Sequence, residues 1–166
     1  GELGFQEYFV YHRCAPVVKG FRFIGSDHAK PAPGVLEAIK VADVIIFCPS
    51  NPWVSIDPIL AVPGIRQAIQ DKPVFAVSPI IGGRTIKGPA AKMFAELGIE
   101  PSSWAVYQHY QDLLTGFVID EQDGALATSM QAMGLKVLVT QTIMHTDEER
   151  RSLAQAVLEF AEEGVL

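Results

Sequence analysis

The chain predicts an α/β fold, a doubly wound and mostly parallel sheet, in a single domain of residues 1–166. Three observations predict it. Short, near-continuous apolar runs rich in Val, Ile and Phe recur along the chain, the pattern of strands buried on both faces. Between them lie stretches with apolar residues three and four apart, the spacing of helices that bury one side. No repeat, low-complexity tract or linker divides the chain. At 166 residues, 49% hydrophobic and 19% charged, it suits one core that buries roughly 70% of the unfolded surface.

The elements follow in order. Residues 7–11, Glu-Tyr-Phe-Val-Tyr, read as strand material at the very start of a chain without an initiator methionine, so a processed or excised piece of a longer protein is expected. Residues 21–24 read as a strand. Pro33 suits a first helical turn, and Val35, Leu36, Ile39 and Ala42 continue it at helical spacing. Residues 44–48 form the next strand. Two short helices, 55–60 and 63–69, are separated at Pro63, which cannot continue a helix. Residues 73–77 are a strand and 88–97 a helix that Gly98 closes as a C-cap. A helix over 102–114, a strand at 117–119, a helix over 126–133 stopped by Gly134, and a strand at 136–140 complete the alternation. Thr146 with Glu149 three residues on forms a capping box, which starts a last helix running to about residue 162. Alternation of this kind implies right-handed crossovers between parallel strands. Their carboxyl ends then share one edge, where open α/β sheets bind ligands.

Composition excludes several classes of function. Thirteen Lys and Arg scattered in a chain of net charge −6 make no basic face for nucleic acid. No apolar run approaches the roughly 18 residues that cross a bilayer, and the first residues carry no signal-peptide pattern, so no membrane partner and a cytoplasmic location are expected. Cys14 and Cys48 lack a CxxC partner or a His cluster and are expected to be buried structural thiols.

Three strand ends carry polar or glycine-rich sequence. Pro49-Ser50-Asn51-Pro52, with Ser55 behind it, offers two hydroxyls, an amide and turn backbone to an oxyanion or a heterocycle edge. Equally, Ser50 and Asn51 could satisfy the turn itself. From Ser78 to Pro89 the chain joins a strand end to a helix start through Gly82, Gly83 and Gly88 with Arg84 and Lys87. Free amides at such a junction favour phosphate, although the spacing is not that of a Walker A loop and a flexible loop with solvated cations is the alternative. Asp120-Glu121-Gln122-Asp123 places three carboxylates within four residues, a set able to hold Mg²⁺ or to form a solvated acidic turn. His109 reads as a satisfied histidine on a helix rather than a general base. With no Ser/Cys-His-Asp set, covalent acyl chemistry has little support. Holding and positioning anions is what these residue types do, and phosphoryl transfer mostly requires that.

Taken together, the segments Gly25-Ser26-Asp27-His28-Ala29-Lys30-Pro31, Ala42-Asp43-Val44-Ile45-Ile46-Phe47-Cys48-Pro49-Ser50-Asn51-Pro52, Ser55-Ile56-Asp57-Pro58-Ile59-Leu60, Val77-Ser78-Pro79-Ile80-Ile81-Gly82-Gly83 and Lys87-Gly88-Pro89-Ala90-Ala91-Lys92 resemble the 2-phospho-L-lactate transferase family of coenzyme F420 biosynthesis. The resemblance runs from about residue 5 to the last helix. It implies a Rossmann-like fold and transfer of a phospholactyl or phosphoenolpyruvyl group from a guanosine diphosphate-linked donor to the deazaflavin Fo, with release of GMP and help from Mg²⁺. It further implies a homodimer. The family's front strand and Gly-Gly-Thr-Gly-Gly nucleotide loop have no counterpart here, so the chain resembles the C-terminal half of the enzyme and is expected to be inactive alone.

Within that resemblance Ser50, Asn51, Ser55 and Ser78 orient phosphate or acceptor, Gly82, Gly83, Arg84 and Lys87 balance the charge on the departing GMP, and Asp120 or Asp123 holds the metal. The alternative is a non-catalytic regulator that binds a nucleotide or nucleotide sugar, related to the gluconeogenesis-factor family. That family usually carries a Gly-Pro-Gly-Ser-Leu-Tyr-Thr-Ser type loop where this chain has Pro49 to Ser55.

Overall fold

Four of the apolar runs pair as one parallel sheet in the computed structural model, which describes residues 1–165. In chain order the strands are β1 (Ile45–Phe47), β2 (Val74–Val77), a two-stranded antiparallel hairpin of β3 (Ile80–Ile81) and β4 (Arg84–Thr85), then β5 (Gly116–Asp120) and β6 (Lys136–Thr140). The sheet order is β1-β2-β5-β6, with every pairing parallel. The helices are α1 (Val35–Val41), α2 (Asp57–Leu60), α3 (Ile65–Gln70), α4 (Ala90–Glu96), α5 (Ser103–Tyr110), α6 (Ala127–Gln131) and α7 (Asp147–Val165). The expected α/β fold with a parallel sheet is therefore present.

Side chains alternate across the sheet, so each row of paired residues belongs to one face. Phe47, Ala76, Phe117 and Val137 stand in register and join the larger core with Ile65, Met93, Phe94, Val106, Tyr110 and Met130 from the crossover helices. Val77, Val118 and Leu138 face the other way, against Leu153, Val157 and Phe160 of α7. Phe75 lies on that second face, fully buried and edge-on to Phe160 at 5.4 Å. Its ring fits because its register partner is Gly116, where an added Cβ would stand 2.5 Å from two ring carbons.

The helix ends match the expected chemistry. Gly98 (φ +75°) ends α4 as a Schellman turn: its N–H donates to Ala95 O at 3.0 Å and the Ile99 N–H to Phe94 O at 2.9 Å. Thr146 and Glu149 exchange bonds at the start of α7, Glu149 N–H to Thr146 Oγ1 and Thr146 N–H to Glu149 Oε2.

Several expectations are corrected. Residues 7–11 are not a strand but a π-helical turn, Glu7–Tyr11. Residues 21–24 are irregular: no strand among the described residues pairs with them, and Phe21 instead stacks on Trp53 at 5.7 Å. The helix expected over 55–60 starts earlier, as a π-helical turn at Pro52–Ile56 that runs into α2. The loop after β2 contains the β3–β4 hairpin, because Gly82 and Gly83 at φ +54° and +76° form the two-residue turn that hairpins favour. Cys14 is half-buried and Cys48 exposed, since β1 is an edge strand that ends at Phe47, leaving the next side chain to solvent. No helix among the described residues is long and apolar enough to cross a membrane.

Candidate functional site

At the carboxyl ends of β1, β2 and β6 the chain leaves the sheet as three loops, and a cleft of about 320 Å³ opens between them. Ser50 and Asn51 line it after β1, Ser78 and Pro79 after β2, and Thr142 to Met144 after β6. The segment from Thr85 to Ala90 closes a further side, and Arg150 reaches in from the first turn of α7.

Asn51 holds the first wall in shape. Its Oδ1 accepts the Trp53 and Val54 N–H groups at 3.1 and 3.3 Å, capping the turn at Pro52–Ile56. Its Nδ2 faces Met93 Sδ at 3.1 Å. Trp53 is buried against Phe94 at 4.3 Å and Phe21 at 5.7 Å, which anchors the turn in the core. The Asn51 carboxamide is thus engaged within the chain, while Ser50, beside it in the cleft lining, makes no side-chain hydrogen bond among the described residues. Ser55 is exposed outside the cleft; its N–H donates to Asn51 O at 3.1 Å.

Ser78 is buried and ties the second wall. Its Oγ donates to Ile80 O at 2.8 Å and accepts the Ile80 N–H at 3.2 Å. The Gly82 N–H donates to both carboxylate oxygens of Asp123 at 3.2 Å, and neither residue lines the cleft. Gly83 and Arg84 belong to the exposed hairpin tip and do not line the cleft. Lys87 does. Its side chain is exposed with no ion-pair partner among the described residues, in a loop closed by Thr85 Oγ1 donating to Gly88 O at 3.0 Å.

Asp120 and Asp123 are buried and do not line the cleft. Asp120 ends β5, and its carboxylate accepts from Gln122 N at 3.1 Å and from Thr142 N and Oγ1 at 2.9 Å each. Burial alone would push this carboxyl up, but those donors outweigh it and hold the group below the usual carboxylate range. Burial pushes Asp123 up, the Asp120 charge adds to the rise, and the Gly82 N–H only partly offsets it. Asp120 joins β5 to the loop after β6, and Asp123 joins the acidic turn to the hairpin. Among the described residues no group of three or more His, Cys, Asp or Glu could hold a metal ion. With three of its lone pairs already in use, Asp120 does not fit the part of an open magnesium ligand.

The strand-end rule that pointed to Ser50 and Ser78 reaches Thr142 as well, two residues beyond β6. Arg150 has no local motif, because the fold of α7 onto the sheet is what brings it here; Asp147 is its ion-pair partner. The assembled lining is the hydroxyls of Ser50, Ser78, Thr85 and Thr142, the cations Lys87 and Arg150, and apolar patches from Ile81, Ile86, Ile143 and Met144. Such a cleft can hold an anionic group at one end and an uncharged body beside it.

A family model described as 2-phospho-L-lactate transferase CofD matches residues 1–160. The phosphoenolpyruvate transferase of Streptomyces griseus is 43% identical over 164 residues, covering 97% of this chain and 52% of that protein. The 2-phospho-L-lactate transferase of Methanosarcina mazei is 39% identical over 159 residues, covering 96% of this chain and 52% of that protein. A crystal structure of a UPF0052-family protein from Bacillus halodurans superposes with a TM-score of 0.52 at 19% identity, over 81% of this chain and 48% of that one, a likeness of fold. The chain spans about half the length of the curated relatives it matches.

Proposed function

Since the chain belongs to the 2-phospho-L-lactate transferase CofD family, we propose that its strand-end cleft holds the phosphate groups in a phospholactyl or phosphoenolpyruvyl transfer. The donor in this reading is guanosine diphosphate-linked, the acceptor is the deazaflavin Fo, and GMP leaves. One observation carries the proposal: Ser50, Lys87 and Arg150, from three separate parts of the chain, line a single cleft at the strand ends. Lys87 and Arg150 supply charge to phosphate oxygens as the bond to GMP breaks, and Ser50 donates a hydroxyl hydrogen bond. Asn51, Ser78 and Thr142 keep the walls in place. Mg²⁺ belongs to the proposal as a cation that would neutralise phosphate charge, with Asp120, whose carboxylate is taken up by three donors, not among its ligands.

Calorimetric titration with GMP tests this. Wild-type chain should bind, and Lys87→Ala or Arg150→Ala should each weaken binding about tenfold, the loss of one charge-assisted contact. Equal affinity in all three proteins would discard the cleft as the phosphate site. Supplied with donor and Fo, these 166 residues alone are expected to release no GMP; turnover at the rate of a full-length relative would contradict that.

A further inference from the structure

The stretch from Thr85 to Ala90, which joins the β3–β4 hairpin to α4, is pinned at both ends and loose between them. Before it, Ile80 and Ile81 are buried, the Gly82 N–H is held by Asp123, and a Cβ on Gly83 would already stand 3.4 Å from Pro101 O. At its far end Ala90 is buried and Pro89 O accepts the Met93 N–H at 2.9 Å. Among the described residues no backbone–backbone hydrogen bond holds Ile86, Lys87 or Gly88, and the loop is tied by Thr85 Oγ1 donating to Gly88 O at 3.0 Å. Gly88 stands at φ +79° with nothing within 4 Å of where a Cβ would be, so the chain has room to turn there.

This loose stretch carries an apolar side chain into water. Ile86 is 51% exposed in the cleft lining, and Ile143 and Met144, which line the same cleft from the loop after β6, are only half-buried. Bringing the loop onto them would remove apolar surface from water on both sides. Charge opposes that closure. Lys87 travels with Ile86, and Arg150 lines the same cleft, so drawing the loop in without a counter-ion brings two cations together in a space that loses water. We propose that residues 85–88 form a lid that an anion closes: phosphate oxygens between Lys87 and Arg150 turn the repulsion into attraction, and Ile86 seats on Ile143 and Met144. The lid rests on the phosphate reading of the cleft and adds to it a ligand-dependent step. The anion favours the closed form because only there does it meet both cations at once, the differential contact that a shift between two conformations requires.

Pyrophosphate tests the lid because it has no apolar atom for Ile86 to touch. In a rigid cleft Ile86→Ser would leave pyrophosphate affinity unchanged, whereas a lid held shut by this side chain predicts binding about fivefold weaker, the loss of roughly half an isoleucine's burial. Because Ile86 is exposed, the thermal midpoint of the variant should match wild type. A cysteine pair reads closure itself. In a Cys14→Ser/Cys48→Ser background, Ile86→Cys with Met144→Cys should form a disulfide under oxidised glutathione about threefold or more faster with pyrophosphate than without it, since the bond needs Cα atoms within about 7 Å. If wild type binds pyrophosphate, and Ile86→Ser binds it equally well or the cysteine pair cross-links at one rate with and without it, the lid is overturned and the phosphate reading stands. If wild type binds no pyrophosphate, the phosphate reading falls and takes the lid with it.

Discussion

Gly116 shows how one missing side chain shapes a sheet face. A Cβ there would approach Phe75 Cδ1 and Cε1 to 2.5 Å and Phe160 Cε1 to 3.1 Å, the first a fully buried ring and the second a half-buried ring of α7. Gly116→Ala should therefore cost about 1–3 kcal/mol by overpacking, read from urea unfolding. A variant as stable as wild type would mean that Phe75 has room to turn. Asp120 is the corresponding case for charge. Its carboxyl lies below the ordinary range, so its contribution to stability is present above the unfolded value, near 3.9, and is lost as pH falls through the folded value. Asp120→Asn should flatten the acid limb of stability against pH, and an unchanged limb would remove Asp120 as its source. Asp123, shifted the other way, opposes folding while ionised, and that opposition disappears as the pH drops through its raised value.

At the scale of elements, caps and turns show what the residue pattern reveals and where it stops. Ser102 caps α5 by accepting the Ala105 N–H at 3.1 Å, and Ser102→Ala should cost about 1 kcal/mol in chemical denaturation, with no loss if α5 is held by packing alone. The central strands at 73–77 and 117–119 were legible because buried parallel strands are written as continuous apolar runs, and the edge strands at 44–48 and 136–140 because β-branched residues dominate them. Residues 21–24 carry the same signature, yet whether an apolar run finds a hydrogen-bonding neighbour is a tertiary fact, and Phe21 finds Trp53 instead. The hairpin at Ile80–Ile81 and Arg84–Thr85 did have a signal, the Gly82-Gly83 pair between short apolar and polar strands, which also reads as a phosphate loop. The geometry separates those readings, because the Gly82 amide turns to Asp123. In the site, Ser50, Ser78 and Lys87 were reachable from strand-end logic, whereas Arg150 depends on where a long helix docks.

For the whole molecule, the decisive arrangement is that loops after β1, β2 and β6 meet at one edge, while Asp120 holds the loop after β6 through Thr142 and Asp123 holds the hairpin after β2 through Gly82. A parallel sheet gives every strand the same direction, so residues as distant in sequence as Ser50 and Arg150 share a cleft. The most direct measurement is a titration of ¹⁵N-labelled chain with pyrophosphate, followed by amide chemical shifts. The account predicts the largest changes at Ser50, Lys87, Gly88, Thr142 and Arg150. Changes confined to the Gly82–Gly83 hairpin tip, or centred on Arg66, would contradict it.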